Sequence, residues 1–105
     1  MLAAIADSAE LALRYAEEQG PGWDADQKTV DAIAKRVEEI GELTKRVTAR
    51  TLAGIPGVDW KVAKGFREVL SHAYANVDVD VLVDVVSTKL PVLLAAVEER
   101  LGRER

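Results

Sequence analysis

The chain has no cysteine, which excludes disulfides and every metal site built on thiolates. It has one histidine, His72, so a zinc site assembled by one chain is not expected and any imidazole chemistry must happen at that residue. No apolar run approaches the roughly 18 residues of a membrane-spanning helix, and the N-terminus shows no signal-peptide pattern. The expected setting is therefore cytoplasmic, away from membranes. Repeats and low-complexity segments are also lacking. What is present is 105 residues, 49% apolar and 30% charged, the profile of a globular chain rather than a disordered one. That length is read as one domain spanning 1–105, all-α in class.

The chain also lacks positive charge overall, with a net charge of −4. The distribution is more informative than the total. Between positions 43 and 67 stand Lys45, Arg46, Arg50, Lys61, Lys64 and Arg67, opposed only by Asp59. Local sign governs the steering of a polyanion more than net charge does. These residues are candidate RNA contacts. The plain alternative is that they solvate the end of one helix and the start of the next.

Four helical regions follow from the apolar spacing. The first runs from about Leu2 to Gln19, stopped by Gly20-Pro21-Gly22. The second runs from about Ala25 to Leu52, capped by Asp24 or Asp26, with Val30, Ile33, Val37, Ile40, Thr44 and Val47 as its seam. Gly41 inside it costs about 1 kcal/mol against alanine, which a close helix contact would explain. The third runs from Asp59, its N-cap, to Tyr74, with Val62, Phe66, Val69, Leu70 and Ala73 buried. Asn76 suits the left-handed turn that would end it. The segment NVDVDVLVDVV alternates like a strand, but a lone strand would lack a partner. A helix over 79–87 capped by Asp78 is the better reading. Ser87 or Thr88 would then cap a further helix that admits Pro91 in its first turn and runs to Leu101. The expected architecture is an antiparallel four-helix-type bundle with a broken or kinked last helix.

The third region ends in FREVLSHAY. It places Arg67, His72 and Tyr74 within eight residues, with Glu68 and Ser71 beside them. On a straight helix Arg67 and Tyr74 lie ~20° apart around the axis and ~10 Å along it, whereas His72 lies ~140° from Arg67. One helix cannot close this site. Either the helix ends near His72 and turns the ring, or two copies of the helix meet across a two-fold axis and pool their residues.

The chemistry suits RNA, whose 2′-hydroxyl can attack the adjacent phosphate. Such a reaction needs a proton acceptor, a donor to the leaving oxygen and a cation on the developing charge. His72 fits the proton role. Arg67 fits the phosphate, being always charged and able to donate two parallel hydrogen bonds. Tyr74 can hydrogen-bond a phosphate or stack on a base. Structural readings stand beside these: Arg67 pairing with Asp59 or Glu68, Phe66 as a core aromatic, and Trp60 as packing rather than a stacking platform.

The flanks add a resemblance. The order is I-G-E within EEIGELTKRV, then I-P, a tryptophan seven residues before the arginine, R-x4-H-x-Y, and V-D. It resembles the HEPN superfamily and, within it, the HepT-like ribonuclease toxins of prokaryotes, over roughly Ile33 to Leu101. The resemblance implies a helical homodimer with Arg67, His72 and Tyr74 in a cleft at the interface. It implies metal-independent RNA cleavage without a cofactor, and a minimal nucleotidyltransferase antitoxin that attaches AMP to Tyr74. It also implies a further turn of helix before Met1. Glu68 departs from the small polar residue usual after the motif arginine. Its carboxylate, four residues before His72, would either raise the histidine pKa or repel RNA phosphates. Two other readings remain: a non-catalytic HEPN module that binds a nucleotide or partner, and a plain dimeric scaffold.

Overall fold

A computed structural model describes residues 1–71 and 77–103. Every regular element among them is helical. Helix α1, Leu2–Gln19, buries Ile5, Ala6, Ala9, Ala12 and Ala16. Four of these five are alanines, which lets its neighbours approach closely. The chain reverses through Gly22, whose φ of 85° is left-handed and costs a glycine little. A short 3-10 turn, Trp23–Ala25, leads into α2, Gln27–Lys45. Of the two expected caps it is Asp26 that serves. Its carboxylate accepts from the Thr29 backbone N–H at 3.0 Å and from the Thr29 hydroxyl at 2.6 Å, and these bonds hold its pKa below the ordinary value.

The seam of α2 is buried as expected from Val30 to Thr44. The buried Thr44 hydroxyl is satisfied by donating to the Ile40 carbonyl at 2.7 Å. The helix does not run to Leu52, however. It stops at Lys45, and Thr48 starts a separate short helix, α3, Ala49–Ala53. The Thr48 hydroxyl accepts from the Thr51 backbone N–H at 3.2 Å. A threonine offered a capping position competes with continuation of the helix, and this local bond sets the break.

The third region also divides. Asp59 caps it as expected, accepting from the Val62 N–H at 3.2 Å, but Gly65 separates α4, Trp60–Lys64, from α5, Phe66–Leu70. The Gly65 N–H bonds back three residues to the Val62 carbonyl at 3.0 Å, a tightened turn that changes the helical register. Phe66 and Leu70 face the core as expected, at 1% and 0% exposure, while Val69 on the same short helix, expected to be buried, is 46% exposed. The helix ends at Leu70, with Ser71 in extended backbone. The expected continuation through Ala73 to Tyr74, and the turn at Asn76, lie outside the described residues. Trp60 packs, as expected, and its indole N–H donates to the Ile55 carbonyl at 3.0 Å.

Over 79–101 the chain is helical rather than extended. Asp78 caps α6, Val79–Asp84, through the Val81 N–H. This helix passes without interruption into a π-helical turn, Val85–Lys89, and then into α7, Leu90–Leu101. Neither Ser87 nor Thr88 starts a new helix; the Ser87 hydroxyl donates to the Val83 carbonyl at 2.7 Å. Pro91 has no N–H to offer the Ser87 carbonyl, so an α register cannot be kept there. The Leu90 N–H instead reaches back five residues to Val85, the π register.

Helix α1 packs on α2 and α7, and α2 packs on α4 and α5. Ile5, Ile33, Ile40, Phe66, Leu70, Leu82, Leu90 and Leu93 fill the shared core. No described helix is long and apolar enough to cross a membrane.

Candidate RNA-cleavage site

Gly41 determines how α2 meets the arginine-bearing helix. A Cβ at position 41 would stand 3.1 Å from the Ala63 carbonyl oxygen and 3.3 Å from the Phe66 Cβ. A side chain there would require the neighbours to give by a few tenths of an ångström, which accounts for the helix-interior glycine and names its partner. The next residue on each side then meets across the same contact: Glu42 on α2 faces Arg67 on α5.

The Arg67 guanidinium lies 3.5 Å from Glu42 Oε1. Among the described residues its ion-pair partner is Glu42 rather than Asp59 or Glu68, although its charge also contributes to lowering the Glu68 pKa. Glu42 also faces Lys45 Nζ at 3.7 Å through its other oxygen, and Lys45 reaches Glu68 Oε1 at 3.4 Å. Arg67, Glu42, Lys45 and Glu68 form a ladder of alternating charge across the two helices. The side chains of Arg67 and Glu68 are 65% and 63% exposed. Exposed pairs of this kind add little to stability; what they do here is aim groups. The Glu68 carboxyl sits below its ordinary pKa, first because it accepts from its own backbone N–H and then because of the Lys45 ammonium. Sequence reasoning assigned Glu42 no role beyond its place in the I-G-E element. The signal for it was its place directly after Gly41 and three residues before Lys45.

Arg67 rides on a firm base, since Phe66 and Leu70 on the same short helix are fully buried. His72 and Tyr74 lie outside the described residues, and with them the expected histidine chemistry and the Arg67–Tyr74 alignment. The residues on either side of them are described. Ser71 and Val77 form an antiparallel bridge, the Asp78 N–H donates to the Leu70 carbonyl at 2.7 Å, and the Ser71 hydroxyl donates to the Arg67 carbonyl at 2.9 Å. The points where the chain leaves α5 and returns to α6 are thereby tied together, directly after the helix that carries Arg67.

The basic run is divided. Lys45 is engaged with two carboxylates. Arg46 lines a cleft with Met1, Leu2 and Leu101, Arg50 stands on α3, and Lys61 and Lys64 stand on α4. These last four make no ion pair with a described residue.

The chain belongs to the HepT-like ribonuclease family: a family model described as ribonuclease HepT-like matches residues 3–100. That places it in the HEPN group which its motif resembles. It is 34% identical over 74 residues to a protein of Thermococcus cleftensis named a probable ribonuclease HepT, covering 70% of this chain and 67% of that relative. It is 31% identical over 74 residues to a Methanocaldococcus jannaschii protein described as a candidate RNase, covering 70% of this chain. The match spans about three fifths of the length of that second relative. No solved structure matches at a significant level.

Proposed function

We propose that this chain is a metal-independent endoribonuclease toxin: one HEPN-like helical domain that pairs as a homodimer, in which Arg67 and His72 cleave RNA. The observation that carries the reading is the mounting of Arg67. Its guanidinium is held at the surface by Glu42, on a helix anchored in the core by Phe66 and Leu70, and directly before the stretch of sequence that contains His72 and Tyr74. Family membership and the relatives described as RNases support the same reading.

In the reaction the 2′-oxygen attacks the adjacent phosphorus and the bond to the 5′-oxygen breaks. His72 moves protons off the first oxygen and onto the second. Arg67 meets the negative charge that gathers on the phosphoryl oxygens. Control falls to a nucleotidyltransferase antitoxin that transfers AMP to Tyr74, adding charge and bulk where RNA must enter.

Pairing through the third helical region would cover Val69; the other exposed large apolar side chains among the described residues, Met1, Val92 and Leu101, lie outside that region. Val69 and Val92 are 46% and 51% exposed. A notch of about 240 Å³ opens between Val58, Val62, Phe66 and Val92, with Asp59, Thr88 and Lys89 also lining it.

The test is incubation of the purified chain with RNA in EDTA. Fragments ending in a 2′,3′-cyclic phosphate are expected. Absence of cleavage under conditions where the chain is folded and dimeric, or cleavage only with added divalent metal, would overturn the reading.

A further inference from the structure

We infer that Lys45 is a positioning residue of the Arg67 site: by holding the Glu68 carboxylate on α2, it keeps the acidic neighbour of Arg67 from competing with an RNA phosphate. The inference rests on the ribonuclease reading and adds a residue to it. Glu68 follows Arg67 directly in the chain, and both side chains are mostly exposed, so the carboxylate is placed by the bond to its own backbone N–H and by Lys45 rather than by packing. Lys45 lies 3.4 Å from it and 3.7 Å from Glu42. The four side chains balance, with two cations against two carboxylates. Without Lys45 two carboxylates would face Arg67 alone, and the cluster would carry net negative charge at the point where a phosphate must arrive. Lys45 therefore acts on RNA through Glu68 rather than by touching a phosphate of its own.

The two roles separate in a double-mutant cycle. The ligand is a 2′-O-methyl RNA oligonucleotide, which cannot be cleaved, at low ionic strength where exposed charges are least screened. Lys45→Met should weaken binding about three- to fivefold, the scale of an exposed charge interaction. Glu68→Gln should tighten it. In the Glu68→Gln background Lys45→Met should have no further effect, so the double variant should bind as Glu68→Gln does, because the carboxylate through which Lys45 acts is already gone. If Lys45 touches the phosphate itself, Lys45→Met weakens binding by the same factor with or without Glu68, and the inference is overturned.

A second readout needs no RNA. The Glu68 carboxyl titration, followed by carbon NMR, should move upward in Lys45→Met. It should remain somewhat below the ordinary value, because the bond to its own N–H survives. An unmoved titration would overturn the inference whatever the RNA result. A titration that moves in a chain that binds no RNA would retain the Lys45–Glu68 pairing and count against both the ribonuclease reading and the role inferred for Lys45 within it.

Discussion

A side chain at Gly41 would stand 3.3 Å from the Cβ of Phe66 and 3.1 Å from the Ala63 carbonyl, and this close approach places Glu42 against Arg67 one residue further along each helix. Gly41→Leu should force α2 away from α4 and α5. A loss of about 1–3 kcal/mol, typical of overpacking, is expected as a lower thermal unfolding midpoint. RNA cleavage should fall further than stability does, since Arg67 loses its partner. An unchanged midpoint would show that the two helices part without cost.

Pairing between copies should depend on the exposed valines. Sedimentation at micromolar concentration is expected to give twice the 11.4 kDa chain mass. Val69→Lys/Val92→Lys should shift the protein toward monomer and abolish cleavage while leaving helix content unchanged, because both positions are about half exposed. A wild-type monomer that still cleaves RNA would remove the second copy from the site.

RNA affinity should run through the cations that the fold leaves without an ion pair to a described residue. Arg46→Ala/Lys61→Ala/Lys64→Ala is expected to weaken binding and flatten its salt dependence, by about one unit of logarithmic slope for each phosphate that is no longer neutralised. If the slope stays as it was, these side chains only solvate the surface.

Tyr74 should be the site of control. With ATP and a partner nucleotidyltransferase, intact-mass and peptide mapping should find AMP on Tyr74, and the modified protein should lose RNA binding as well as cleavage. Tyr74→Phe should resist neutralisation. AMP on Ser71, on a lysine or nowhere would take the tyrosine out of this role.

Much of this was legible in the sequence. Apolar spacing located α1 and most of the α2 seam, and Asp59 and Asp78 were recognised as caps because a capping carboxylate acts within three residues. The breaks were not legible in the same way. Thr48 and Gly65 interrupt stretches whose apolar period continues through them, and Val69 is exposed although Phe66 and Leu70 on the same short helix are buried. Pro91 was read as the first turn of a new helix. It does stand in the first turn of α7; what the sequence did not show is that α6 runs into α7 through a π-helical turn rather than a break capped by Ser87 or Thr88. At the site, the sequence singled out Arg67 but not its partner. The Glu42–Arg67 pair joins residues 25 positions apart, and only the close approach at Gly41 connects them.

Single-turnover cleavage of an RNA oligonucleotide in EDTA, comparing wild type with Arg67→Ala and His72→Ala, tests the central claim most directly. Each substitution should lower the rate by at least about 100-fold, the usual cost of losing one electrostatic or acid–base group. Unfolding of Arg67→Ala should stay close to wild type, because the side chain is exposed. Full activity in His72→Ala, or a strict requirement for a divalent metal in the wild type, would contradict the account.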